Sequence, residues 1–233
     1  ATYEDPRQRT LFKNIMVLGA LAELMDVDAR VIERLFSEQY KGKERLLESN
    51  VRALHAGGSF AREHLQPPHG LGVGLKVKRA DAVGDRIFVE GNAAAALGCV
   101  YGGATVCAWY PITPSSSVAE AFISYCKKYR HDAQTGEAKY AIVQGEDEIA
   151  SIGMVAGAGW NGARAFTATS GPGVSLMTEF IGLAYFAEIP MTIIDVQRGG
   201  PSTGMPTRTQ QADLVSCAYA SHGDTKHVLL LPQ

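Results

Sequence analysis

The sequence predicts an α/β fold in which a parallel sheet carries helices on both faces and is preceded by a helical segment. Three observations carry this. From about residue 87 onward, short and continuously apolar runs alternate with helix-length segments, the pattern a parallel sheet covered on both faces requires. Gly, Pro, Ser, Thr and charged residues collect in the loops that follow four of those runs. Ahead of residue 87, apolar residues recur only at helical spacing.

The first helix is predicted over 10–25, where Leu11, Phe12, Ile15, Met16, Leu18, Leu21, Ala22 and Leu24 repeat with helical period. Asp28 can cap a second helix over 29–40, and 43–63 reads as a third, more polar one. Pro67-Pro68-His69-Gly70, Gly72, Gly74 and the mixed charges of 76–86 break the pattern. The predicted organisation is therefore a helical part over 1–66, a linker over 67–86 and an α/β domain over 87–233. Within that domain helices are expected over 92–104, 118–129, 147–162, 173–186 and 210–220. Strands are expected over 105–110, 140–144, 165–168, 191–196 and 228–231.

With 46% hydrophobic and 20% charged residues and a formal net charge of -2, the composition is that of a soluble globular protein. No basic excess asks for nucleic acid or an anionic membrane as partner. The apolar runs are far shorter than the roughly 18 residues a membrane span needs. The polar, charged start is not a signal peptide, so a cytoplasmic location is expected. Cys99, Cys107, Cys126 and Cys217 lack C-x-x-C spacing and a companion His, and read as reduced core thiols. The chain begins at Ala1 without Met and ends at Gln233 just after an apolar run, which reads as a piece of a longer polypeptide.

Ligands in parallel sheets gather outside the carboxyl ends of the strands. In the first such loop, Pro111-Ile112-Thr113-Pro114-Ser115-Ser116-Ser117, two prolines restrict the backbone around Thr113 and aim its hydroxyl, and Ser115 to Ser117 can cap the next helix. Taken alone, it equally reads as an ordinary strand-to-helix turn. The second, Gln144-Gly145-Glu146-Asp147-Glu148, puts three acids at a helix start. The helix dipole accounts for Asp147 and Glu148, whereas Glu146, directly after strand and glycine, sits where a buried carboxylate could address a ligand. The third, Thr169-Ser170-Gly171-Pro172-Gly173, allows close backbone approach at a helix N-terminus but lacks the P-loop pattern. In the fourth, residues 197–207, Arg198 ends the preceding strand, where a guanidinium can grip a carboxylate through two parallel bonds; a surface arginine is the plainer alternative.

In this order the four loops resemble the pyrimidine-binding half of the 2-oxoacid:ferredoxin oxidoreductases. The run Tyr110-Pro111-Ile112-Thr113-Pro114-Ser115-Ser116 resembles a signature of the two-subunit members, and the likeness covers 87–233. The segment with Lys41-Gly42-Lys43 and residues 50–64 is similar to the tail of the gamma domain that some members fuse ahead of this half. The resemblance implies an alpha subunit that shares thiamine diphosphate with a partner. Tyr110, Pro111, Ile112, Thr113, Glu146, Ser170 and Gly171 would face the cofactor, with Glu146 hydrogen-bonding N1' of its aminopyrimidine. Thr113, Ser115 and Arg198 would meet the 2-oxoacid. The implied reaction is coenzyme A-dependent oxidative decarboxylation with electrons to ferredoxin, or the reverse carboxylation. No G-D-G followed by an Asn pair and no cluster ligands occur here. Mg²⁺ and a [4Fe-4S] cluster are therefore implied on a beta subunit that carries the diphosphate-binding domain, with a second alpha-beta unit completing a heterotetramer. The Arg198 to Gly204 loop resembles enzymes of 2-oxoglutarate, while pyruvate-using and broad-specificity relatives share much of it. Two other readings stay open: a nucleotide- or flavin-binding module at 169–173, against which the missing G-x-G-x-x-G counts, and a structural subunit packing through the small-residue helices 91–103 and 153–162.

Overall fold

The computed structural model describes residues 6–65, 76–78, 80, 82–199, 211–222 and 227–231, with the side chains of 6–9 and 11 excepted. The chain divides into two compact units, 1–86 and 87–233. In the first, helices α1 (Pro6–Leu24), α2 (Ala29–Gln39) and α3 (Glu44–His64) follow one another without a strand. Asp28 caps α2 by accepting from the Arg30 N–H at 3.0 Å. Helices α1 and α3 meet backbone to backbone: a Cβ on Gly19 would stand 2.0 Å from the Leu54 carbonyl oxygen, and one on Gly57 would stand 1.9 Å from that of Met16. Only glycine permits that approach. Phe12, Ala22, Phe36, Ala53, Leu54 and Ala61 form the buried interior.

The second unit runs α4 (Gly91–Tyr101), β1 (Val106–Trp109), α5 (Ser116–Tyr129), β2 (Ala141–Gln144), α6 (Glu148–Trp160), β3 (Ala165–Thr169), α7 (Gly171–Phe186), β4 (Thr192–Asp195) and α8 (Leu214–Ala218). The strands form one parallel sheet in the order β2-β1-β3-β4. Alternation sorts its side chains into two layers. Cys107, Trp109, Phe166 and Ala168 pack with Ala96 of α4 and with Val118, Ala119, Phe122 and Cys126 of α5. On the other face Val106, Ala108 and Ala165 pack with Val155 of α6, and Ile193 packs with Ile152 of α6 and with Val174, Met177 and Ile181 of α7. Both faces are covered over β1 and β3, as the apolar runs require, whereas the edge strand β2 leaves Ala141, Val143 and Gln144 exposed.

From β1 the chain moves to β2 on one side, and from β3 it moves to β4 on the other. The order therefore reverses between β1 and β3, and the crevice outside their carboxyl ends is where such a sheet binds ligands. Two expected elements differ. The helix expected over 210–220 is formed only over Leu214–Ala218 among the described residues, and 228–231 forms no strand and lies exposed. Of the four free cysteines, Cys107 and Cys126 are buried as expected, whereas Cys99 and Cys217 are only half-buried. Among the described residues no helix is long and apolar enough to cross a membrane.

Candidate active site

The loop after β1 is held from within and from α4. Ser115 is fully buried, but its hydroxyl does not cap α5; it donates to the Ile112 carbonyl at 2.9 Å. The Ile112 N–H donates to Ser116 Oγ at 3.1 Å, while Asn92 Nδ2 donates to the Pro114 carbonyl and to Ser117 Oγ at 3.0 and 2.8 Å. The peptide between Thr113 and Pro114 is cis. Ile112 is thus sealed into the fold, Tyr110 is half-buried, and Pro111 and Thr113 stand out at the surface of the described residues. Side-chain hydroxyls have been spent on tying the turn together, which leaves Thr113 as its outward-facing hydroxyl.

Arg198 reaches that same turn from β4. It is 2% exposed, so it is no surface arginine, and its Nη1 donates to the Thr113 carbonyl at 3.2 Å across 85 residues of sequence. A guanidinium keeps its charge when buried. Its backbone is fixed as well, because the Arg198 N–H donates to Asp213 Oδ2 at 3.1 Å. Asp213, 4% exposed and at the cap of α8, also stands against the start of α7, where a Cβ on Gly171 would lie 2.7 Å from Asp213 Oδ2. A carboxylate of this chain therefore complements the N-terminus of α7, the end whose dipole favours negative charge. Asp195, the last residue of β4, lies beside Asp213; burial first, then the Asp213 charge, pushes its carboxyl up to about 7.

The acids after β2 are distributed differently from the expectation. Asp147 caps α6, accepting from the Ala150 N–H at 2.7 Å. Glu146, singled out as the buried carboxylate, is exposed. Glu148, expected merely to complement the dipole, is 4% exposed, and its Oε1 has no hydrogen-bond partner. Helical phase explains the exchange: Glu148, Ile152 and Val155 stand on one stripe of α6, and that stripe turns toward the sheet. Thr167 and Thr169 share one face of β3, and α7 begins with Ser170 as its cap residue. Thr167 Oγ1, Thr169 Oγ1 and Ser170 Oγ are likewise buried without partners. A Cβ on Gly173 would lie 2.0 Å from Thr169 Oγ1 and 3.0 Å from Glu148 Cγ, so glycine at this position lets these side chains converge. Buried polar atoms are normally satisfied. Glu148 and Thr169, meeting at Gly173, bring two such atoms to one place, a cradle suited to a polar group.

Glu148, Thr167, Thr169, Asp195 and Asp213 were thus missed by sequence reasoning. The signals that could have found them are helical phase for Glu148 and an acid closing an apolar strand for Asp195; Asp213 carried no signal in its neighbourhood. Burial pushes the thiols of Cys107 and Cys217 up to about 12 and that of Cys99 up to about 11, and raises that of Cys126, which favours the uncharged thiol in each. Among the described residues no group of His, Cys, Asp and Glu is arranged to hold a metal ion.

Comparison with known proteins adds to this geometry. The model of the pyruvate flavodoxin/ferredoxin oxidoreductase family, thiamine diphosphate-binding part, matches residues 97–233. The alpha subunit of 2-oxoacid:ferredoxin oxidoreductase 2 from Aeropyrum pernix is 39% identical over 223 residues, covering 93% of this chain and 34% of that protein. The 2-oxoglutarate synthase subunit KorA of Methanocaldococcus jannaschii is 48% identical over 145 residues, covering 62% of this chain and 37% of that one. The solved 2-oxoglutarate:ferredoxin oxidoreductase of Magnetococcus marinus, with 2-oxoglutarate, coenzyme A and succinyl-CoA bound, superposes with a TM-score of 0.67 at 36% identity, over 94% of this chain and 37% of that one. The chain spans about a third of the length of these relatives. With a parallel sheet whose strand ends carry the described loops, while residues 200–207 of the fourth lie outside the described residues, it belongs to the pyruvate flavodoxin/ferredoxin oxidoreductase family, within the thiamine diphosphate-binding domain.

Proposed function

We propose that the chain is the pyrimidine-binding part of the alpha subunit of a 2-oxoacid:ferredoxin oxidoreductase acting on 2-oxoglutarate. The observation that carries this reading is the buried Glu148, its Oε1 without a partner, converging with Thr169 at Gly173. The residues fit thiamine diphosphate at its pyrimidine end. That ring presents nitrogen atoms at its edge, and the site offers Glu148 Oε1 and the Thr169 hydroxyl, neither with another partner. When bound, the cofactor supplies a carbon nucleophile for the 2-oxo group and an electron sink for the carboxylate that leaves.

The protein's part is orientation and charge. Glu148 takes over the role expected of Glu146: it would hydrogen-bond N1' of the aminopyrimidine and hold a proton there. Its burial excludes water from that bond and strengthens it. Ser170 and Gly171, at the start of α7, and Tyr110, Pro111 and Ile112, at the end of β1, wall the site. Arg198 pairs with a carboxylate of the 2-oxoacid, and Thr113 offers its hydroxyl from the turn that Arg198 holds. Ser115 supports this turn through Ile112 rather than touching substrate.

The remainder of the reaction belongs to partners. A beta subunit supplies Mg²⁺, the diphosphate site and a [4Fe-4S] cluster; coenzyme A takes the acyl group, ferredoxin takes the electrons, and two alpha-beta units make the heterotetramer. The choice of 2-oxoglutarate is supported by the Magnetococcus marinus and KorA relatives. Residues 1–66 are the helical end of a gamma domain, joined through 67–86, and the complex works in the cytoplasm. A nucleotide-binding module is disfavoured because Asp213 already complements the start of α7.

The test is a pair of substitutions in the full alpha subunit, co-produced with its beta subunit. Glu148→Gln is expected to lower 2-oxoglutarate-dependent viologen reduction by about 10²- to 10⁴-fold, the usual range for removing a proton-transfer group. Glu146→Gln is expected to keep near-normal turnover. The opposite ranking would return the role to Glu146, and wild-type rates in both would sink the assignment of this loop.

A further inference from the structure

We propose that Asp195 and Asp213 share one proton and act as a positioning pair that fixes the Arg198 backbone, so that a substrate carboxylate is gripped well only while that proton is in place. The inference rests on the reading of Arg198 as the carboxylate's partner. Its basis is the joint between β4, α7 and α8. Asp213 Oδ2 accepts from the Arg198 N–H at 3.1 Å and packs against Gly171 at the start of α7. Asp195 is anchored from both sides: it pairs in register with Thr169 of β3, and its Oδ2 accepts from Cys217 Sγ of α8 at 3.4 Å. Each Asp thus has one oxygen committed to the frame.

The two remaining oxygens, Asp195 Oδ1 and Asp213 Oδ1, are buried and take no hydrogen bond from any N–H, S–H or hydroxyl donor. Ionised carboxylates only accept, so two of them side by side repel and leave both oxygens unsatisfied. One proton between them turns one carboxyl into a donor and resolves both deficits. Burial first, and then the neighbouring Asp213 charge, raises the Asp195 carboxyl to about 7. Such a proton belongs to the pair rather than to one residue. Among the described residues the titratable groups facing Asp195 are Asp213, at the cap of α8, and Cys217, within α8. β3 presents Thr169, α7 presents Gly171, and Arg198 is the cation that follows on the same segment.

When the shared proton leaves for solvent, the pair carries two negative charges in a desolvated joint. Repulsion then works on the contact that sets Arg198, three residues beyond Asp195. Arg198 keeps its own charge throughout, so the effect is on placement. It falls on KM for the 2-oxoacid more than on kcat, because the 2-oxoacid carboxylate is not the reacting centre.

The experiment uses the full alpha subunit with its beta subunit. KM and kcat for 2-oxoglutarate are measured from about pH 6 to about pH 9 in wild type, Asp195→Asn, Asp213→Asn and Arg198→Lys. In wild type KM should rise above about pH 7, by up to about tenfold per pH unit for a one-proton dependence. Either Asn variant leaves a carboxamide that donates without titrating, so its KM profile should be flat across that range. A profile in both Asn variants that tracks wild type, or a wild-type KM without the rise, overturns the proposal. Infrared spectra of the complex without substrate give a second readout: a protonated-carboxyl band present near pH 6, lost by about pH 9, and missing in Asp195→Asn. Absence of that band in wild type refutes the shared proton whatever the kinetics. An Arg198→Lys variant with unchanged KM refutes instead the role of Arg198, and with it the kinetic consequence, while the band still decides whether the proton is shared.

Discussion

Gly173 is where the candidate site is most sensitive to a single atom. A methyl there would stand 2.0 Å from Thr169 Oγ1 and 3.0 Å from Glu148 Cγ, so one of these side chains must leave the cradle. Gly173→Ala is therefore expected to weaken thiamine diphosphate binding to the assembled enzyme at least tenfold, at an overpacking cost to stability of about 1–3 kcal/mol. Calorimetric titration with the cofactor, alongside a thermal melt, separates the two effects. Unchanged cofactor affinity would mean that the cradle lies elsewhere. The same residues show how far single-residue reading reaches. The loop after β2 was legible as a place for a functional acid, because a strand, a glycine and a run of carboxylates stand together. Which acid was not legible from proximity to the strand: the identity is set by the rotation of α6, which buries Glu148 on the stripe of Ile152 and Val155 and leaves Glu146 exposed. Arg198 was legible by its place at a strand end, but its bond to Thr113 depends on a contact across 85 residues that no local pattern records.

Elements owe their limits to identifiable groups. Helix α6 starts where Asp147 takes the Ala150 N–H, and Asp147→Ala should cost about 1 kcal/mol, the usual value of an N-cap. The loss would appear in chemical denaturation as a lower midpoint with an unchanged slope; an unchanged midpoint would show that the helix needs no such start. Helices α1 and α3 depend on the reciprocal approach of Gly19 to Leu54 and Gly57 to Met16. Gly19→Ala should destabilise unit 1–86 by more than the helix-propensity gain of about 1 kcal/mol that alanine brings, because the clash is with backbone and no rotamer relieves it. A net stabilisation in a melt of the full chain would contradict the packing. The strands β1 to β4 were legible because continuous apolar runs bounded by turns have few other uses. The run 228–231 has the same composition yet forms no strand, since a strand exists only where a neighbour completes its ladder, and pairing is not written in the run itself. Helix α8 begins after Asp213, whose carboxylate accepts from the Arg198 N–H rather than from the helix's own first turn.

At the scale of the whole molecule, the reversal of strand order between β1 and β3 brings the loops of residues 110–115 and 170–173 side by side, and the chain then returns from β4 to tie them with Arg198. The alternation of runs announced a parallel sheet, whereas its order β2-β1-β3-β4 is decided by which faces the crossover helices can cover, a property of the assembled layers. The closing joint beside β4 also makes global stability depend on pH. The Asp195 carboxyl, ordinarily near 3.8, is raised to about 7 in the folded chain, so between those values the folded state holds a proton that the unfolded chain has lost. Stability then falls as pH rises through this window and levels off above it, because the unfolding free energy decreases wherever the folded state binds more protons. The sign is opposite to that of a salt-bridged carboxylate, whose contribution grows as pH rises toward the unfolded value and is level above it. Asp195→Asn removes the titration while keeping the shape, so the melting temperature of the variant relative to wild type should climb from about pH 5 to about pH 7 and then stay level, other carboxylates cancelling in the difference. The buried Trp109 in the sheet provides the fluorescence signal for this unit. A difference that stays constant across the window would mean that Asp195 ionises in the folded protein as it does in the open chain, and would remove the electrostatic tension assigned to this end of the sheet.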